Sequence, residues 1–268
     1  MKTILKSISF GAISLGFLFC NALASDSDGR INAVGAAIIV GTNPYAESED
    51  PVEVVPVPAL SWNKGRYSVV GKGAGIRLWD EGPWAVDAIA DIRFQSLDAE
   101  ISPVLEGMAN RDRTLELGGL VAYKMGDITL STQAQFDVLG AHEGFEVNMR
   151  ARYDWQIARG TFFRPSLSLI YRNSDLANYY NGVLPDEARL ATGPNPITVD
   201  GVVFDRPAYA PGETISPQIG FTAIQAFNPK WGAFAVGAVE ILPVEITDSP
   251  IISEDYLGII AVGVARIF

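Results

Sequence analysis

Residues 145–157 alternate apolar and polar without a break, and no other feature of the chain limits its fold so tightly. One face of the run is Phe145, Val147, Met149, Ala151, Tyr153, Trp155 and Ile157; the other is Glu146, Asn148, Arg150, Arg152, Asp154 and Gln156. Successive side chains of a strand point to opposite faces, so a period of two marks a strand lying between two unlike media. Just upstream, Ile128, Leu130, Thr132, Ala134, Phe136 and Val138 oppose Thr129, Ser131, Gln133, Gln135 and Asp137. Residues 84–95 repeat the pattern, and 115–125 and 161–172 follow with weaker contrast. A soluble sandwich also alternates, but its strands average about 5–6 residues, whereas a tilted membrane strand needs about 9–11. Aromatics gather at the ends of these long runs (Trp84 and Phe94, Tyr153 and Trp155, Phe163 and Tyr171, Phe227 and Trp231), as interfacial girdles require. The expected fold is all-β, a transmembrane antiparallel up-and-down barrel with its apolar face to lipid. Closure leaves no unpaired edge in hydrocarbon.

Turn signals sort into short ones, at 63–65, 80–83, 125–127, 158–160 and 228–230, and long ones, at 43–53, 97–113, 174–214 and 243–254. A tight turn falls at 140–143. Short turns belong in the periplasm and long loops outside. The segment 174–214 is the largest candidate for a lid or binding loop. Counting runs gives an odd number, and a single-chain bacterial barrel needs an even one. Splitting residues 66–79 at Gly71-Lys72-Gly73 gives twelve strands; merging the N-terminal runs gives ten, the alternative. The chain closes on Phe268, the terminal aromatic expected to serve as the signal read by the barrel assembly machinery.

At the other end, Lys2 and Lys6 precede an apolar stretch over 8–19 and then Ala22-x-Ala24, the pattern of a cleaved secretory signal over residues 1–24. Phe19 before Cys20 argues against lipidation. Residues 25–268 are then one barrel domain in the outer membrane, in contact with its lipid and lipopolysaccharide. Composition removes other classes. With 20 Lys+Arg against 31 Asp+Glu the chain has no basic face for nucleic acid. One Cys and one His make no zinc site, and no cofactor or metal is expected.

The polar face holds Glu116, Lys124, Asp137, Glu146, Arg150, Arg152, Asp154, Arg164 and Arg172. Mixed signs fit a filled or narrow interior better than an ion-selective ring. If Ile157 pairs with Thr161, Asp154 faces Arg164 in an ion pair near the periplasmic end. Arginine at Met149 or Ala151 should meet lipid and cost about 2–4 kcal/mol near the midplane. Arginine at Asn148, on the lumen face, should cost much less. His142 is the only histidine, five residues after Asp137. An Asp–His pair at a barrel rim could serve a hydrolase. The preferred reading is that the two residues order the external hairpin and that no residue is catalytic.

Short motifs in a fixed order carry a resemblance: Asn43-Pro44-Tyr45; Leu105-x-Gly107-Met108 with Arg111; Asp137-x-x-Gly140-x-His142-x-Gly144; Tyr179-Tyr180-Asn181-Gly182-Val183 with Asp186-Glu187-Ala188; and Arg266-x-Phe268. On these the chain resembles the MipA/OmpV family of Gram-negative outer-membrane proteins, with Asn181 an addition to the family's usual tyrosine motif. The resemblance implies a non-enzymatic envelope scaffold linking a lytic transglycosylase to a peptidoglycan synthase. A small-solute channel is the alternative function, and a hydrolase using His142 comes third.

Overall fold

The computed structural model describes residues 32–268 and, before them, only the backbone of Ala24–Ser25 and Gly29–Arg30. The expected signal segment thus lies outside the described residues but for Ala24. The wall is a closed antiparallel barrel of twelve strands. Strands β1 (Ala33–Thr42), β2 (Val52–Lys64), β3 (Tyr67–Val70), β4 (Gly73–Glu81) and β5 (Trp84–Arg93) are followed by β6 (Thr114–Met125) and β7 (Ile128–Asp137). Strand β8 runs through Phe145–Tyr153 and, past Asp154, Trp155–Ala158. Strands β9 (Thr161–Arg172), β10 (Thr214–Asn228), β11 (Trp231–Ile241) and β12 (Tyr256–Ile267) complete the wall, with β12 closing on β1 through Ile267 and Ala33.

The chain turns at Gly71-Lys72, and this split makes the count even. Both ends of the barrel then lie on one side, the periplasmic one. Each strand is placed by its alternation. On β8, Met149, Tyr153, Trp155 and Ile157 are exposed to the lipid side, while Glu146, Asn148 and Arg150 are buried inside. An aromatic girdle follows at the periplasmic end, with Trp62, Tyr67, Trp79, Trp84, Trp155 and Trp231 all exposed. The opposite rim carries Phe136, Phe145 and Tyr256. The β8–β9 register pairs Trp155 with Phe163, but the turn closes on Ala158 and Thr161, not on Ile157 and Thr161 as expected, because a bulge absorbs one residue there.

The interior is not uniform. Along β1, β2, β11 and β12 it is apolar: Ala37, Ile39, Ala59, Val236, Ala238, Ile259 and Ala261. From β5 to β10 it is polar, with Arg93, Glu116, Gln133, Glu146, Arg150, Ser168, Arg172 and Gln218 all buried. The external loops are not structureless. Residues 174–213 begin with helix α1 (Ser174–Asn181) and include a small hairpin, Ile197–Val199 with Val202–Phe204.

Candidate functional site

A buried charge cannot stay ionised without partners, so the acidic and basic residues facing inward at the external rim have to find one another. They form a belt across the lumen. Arg93 of β5 reaches Glu116 of β6 at 2.7 Å and Glu146 of β8 at 3.2 Å. Arg172 of β9 reaches the same Glu146 at 3.0 Å and Glu240 of β11 at 2.5 Å. Signs alternate along the belt, acid–base–acid–base–acid, and Glu240 is 0% exposed. Five wall strands, from β5 round to β11, are thereby tied to one another on the inner face.

His142 sits on the belt, its Nε2 3.3 Å from Glu116 Oε1, while its Nδ1 accepts from the Gly144 N–H at 3.0 Å. With Nδ1 accepting, Nε2 is the ring nitrogen turned toward the Glu116 carboxylate. Asp137 does not orient it. That carboxylate accepts the backbone N–H groups of Leu139, Gly140, His142 and Glu143 at 2.8–3.2 Å, and the Thr114 hydroxyl. Asp137 and His142 thus order the β7–β8 hairpin and form no acid–imidazole dyad. Gly144 is dictated by close approach: a Cβ there would lie 2.5 Å from the Leu176 backbone nitrogen of α1.

Above the belt the external loops pack into a cap whose buried residues, Tyr45, Leu97, Leu105, Met108, Val183, Ile246 and Ile251, run on into the apolar half of the barrel interior as one core. Glu187 is gripped by Arg111 at 2.8 and 2.9 Å and accepts the backbone N–H groups of Ala109 and Leu184. Burial raises its pKa, but these donors outweigh burial and hold the carboxyl below the usual range. Arg206, 0% exposed, donates to the carbonyls of Glu187, Val104 and Glu106 and so joins three loop segments. Tyr45 donates to the Tyr180 carbonyl at 3.2 Å, and Tyr180 to that of Asp112 at 2.9 Å. Burial pushes both phenols above their ordinary range. Tyr179 accepts the Asp112 N–H at 2.8 Å, and the carbonyl of Pro44 accepts from Ser253. Gly107 takes φ 80, which only glycine adopts freely. Gly182 ends α1 against the Asn178 carbonyl, and Val183 pairs with Tyr209. The added Asn181 fits as the last residue of α1, its carbonyl accepting the Ser249 hydroxyl at 2.6 Å.

The motif residues therefore converge on the cap and the rim beneath it. Two groups lie elsewhere. Arg164 Nε is 2.9 Å from Asp154 Oδ1 toward the periplasmic end, where Arg152 also reaches Asp154 at 3.1 Å. Phe268, 72% exposed, lies at the periplasmic edge with the Arg266 guanidinium 5.3 Å from its ring centroid. Among the described residues no cluster of His, Cys, Asp or Glu is arranged to hold a metal. Sequence reasoning passed over Glu240 and Arg206. Glu240 had a signal, being a lone acid on the inward register of β11 beside Phe234, Val236 and Ala238. Such an acid requires a buried cation.

A closed barrel with lipid-facing strands, aromatic girdles and short periplasmic turns defines an outer-membrane protein. The profile of the family described as MltA-interacting protein MipA matches residues 34–268, and the chain belongs to that family. It is 27% identical over 172 residues to outer membrane protein Omp26La of Vibrio anguillarum, and 26% over 171 residues to outer membrane protein OmpV of Vibrio cholerae. Each match covers 64% of this chain and 61% of the relative, so the chain spans about three fifths of those proteins. The MltA-interacting protein of Escherichia coli is 22% identical over 260 residues, with 96% of this chain and 98% of the relative covered.

Proposed function

We propose that the protein is a non-enzymatic scaffold of the cell envelope whose barrel is sealed at its external end and whose periplasmic end receives a murein hydrolase of the lytic transglycosylase class and a peptidoglycan synthase. The observation that carries this reading is the belt of Glu116, Arg93, Glu146, Arg172 and Glu240 beneath a packed cap, which leaves the barrel suited to holding a surface and poorly suited to passing solute. The E. coli relative's name, MltA-interacting protein, points to the same class of partner. The exposed periplasmic turns offer the surface. Three of them carry Lys64 and Arg66, Arg159, and Lys230, cations suited to an acidic patch on the partner, while the turns at 80–83 and 125–127 carry Asp80, Glu81 and Asp127. Phe268, exposed at the same edge, is assigned the role of assembly signal.

The test is co-purification from envelopes. The wild-type barrel should retain a lytic transglycosylase, and replacing Lys64, Arg66, Arg159 and Lys230 by Glu should abolish retention without loss of the folded barrel. Capture of neither hydrolase nor synthase by the wild type would remove the scaffold reading.

A further inference from the structure

Beneath the belt, the polar half of the interior carries more cations than acids. From β7 to β10 its inward positions hold Arg150, Arg152 and Arg164 against one acid, Asp154. Asp154 takes Arg164 at 2.9 Å and Arg152 at 3.1 Å, close to the periplasmic mouth. The acids of β5 that face the same space, Asp87 and Asp91, meet Arg77 and Lys72 at 2.5 and 3.4 Å. Lys124, exposed at the mouth end of β6, adds a further cation. The chamber thus holds an excess of positive charge between walls of low dielectric, which draws and concentrates anions.

Arg150 is the deepest of these cations. Its cross-strand neighbours on both sides are serines, Ser131 of β7 and Ser168 of β9, and Gln218 of β10 continues the layer. Its Nε donates to the Ser168 hydroxyl at 3.1 Å. One layer up, Asn148 is buried with neither amide atom hydrogen-bonded among the described residues, and the same holds for Nε2 of its diagonal neighbour Gln135. Buried polar atoms need partners, so Asn148 Nδ2 and Gln135 Nε2 call for an acceptor and Asn148 Oδ1 for a donor. This set selects its ligand. A guanidinium flanked by hydroxyls suits a carboxylate, whose two oxygens it meets side by side. A bare anion only accepts and would leave Asn148 Oδ1 without a donor. A hydroxylated carboxylate supplies both, oxygens for the guanidinium and the amide N–H groups and an O–H for Asn148 Oδ1.

We infer that the chamber beneath the belt is a binding site for a small hydroxylated carboxylate of the sugar-acid class, entered from the periplasm, with the carboxylate on Arg150 and Ser168 and a hydroxyl on Asn148. The site is separate from the periplasmic turns and does not rest on the scaffold role.

Isothermal titration calorimetry of the purified barrel in nonionic detergent at low salt tests the site, with galacturonate as the probe beside galactose and inorganic phosphate. The expected result is saturable galacturonate binding with Kd below about 1 mM, and binding of galactose and of phosphate each weaker by about tenfold or more. Arg150→Met should weaken galacturonate by about tenfold or more, and Arg113→Met, on the external side, should leave it unchanged. Absence of saturable galacturonate binding by the wild type, undiminished binding in Arg150→Met, or an equal loss in Arg113→Met overturns the site. Phosphate or galactose binding as tight as galacturonate overturns the ligand class. Folding is checked by the gel shift on heating, and Ser168→Ala takes the place of Arg150→Met should that variant fail the check.

Discussion

Arg172 is the most exposed to test of any single residue in energetic terms, because two buried carboxylates depend on it. Breaking a buried pair by removing one partner costs about 3–5 kcal/mol, since an uncompensated charge stays behind. Arg172→Met should therefore lower the unfolding free energy of the barrel in detergent by that margin, read from urea unfolding followed by tryptophan fluorescence. Arg172→Met with Glu240→Leu should recover part of the loss, because the stranded acid is gone. A single variant as stable as the wild type would mean that the belt is solvated and not buried. Gly144→Ala is the packing counterpart: its Cβ meets the backbone of α1 at 2.5 Å, so the helix has to move off the β7–β8 hairpin. Hydrogen exchange over 174–181 should rise in that variant and stay unchanged in Gly258→Ala, where the added atom makes only an ordinary contact, 3.7 Å from Thr42 Cγ2.

At the scale of elements, the strands were legible in the sequence because lipid and lumen impose opposite demands on alternate residues, and β8 shows it residue by residue. The β3–β4 hairpin was legible only through parity, since Gly71-Lys72-Gly73 is a weak turn signal until the even strand number is required. The cap was not legible as structure. Its folding depends on long-range bonds such as Arg111 to Glu187 and Arg206 to the Val104 carbonyl, which no local period announces. Lumen depth was also misjudged at Asn148. It is buried beneath the belt with no hydrogen-bond partner on either amide atom among the described residues, so Asn148→Arg would overpack and is no mild comparison. Gln156, exposed near the periplasmic mouth, is the proper control. Ala151→Arg should cost about 2–4 kcal/mol near the midplane, and Gln156→Arg close to nothing. Equal losses would refute the assignment of the two faces. The cap has its own pH dependence. Because the Glu187 pKa is lowered in the folded state, its contribution is present above the unfolded value of about 4.3 and is lost as pH falls through the folded value. Protection factors of the amides in 184–206 should fall below pH about 4, and Glu187→Gln should show that lower protection already at neutral pH.

For the whole molecule, length and alternation decide the class. The barrel should migrate faster on a gel unheated than boiled, and full solubility without detergent would contradict its lipid-facing exterior. The central claim is that the lumen is sealed at the external end, and planar-bilayer conductance of the purified protein tests it most directly. The wild type should give no sustained ion current, while removal of residues 175–212 together with Arg172→Ser and Glu240→Ser should open stable steps. Sustained single-channel current from the wild-type barrel would contradict the account and make the protein a channel.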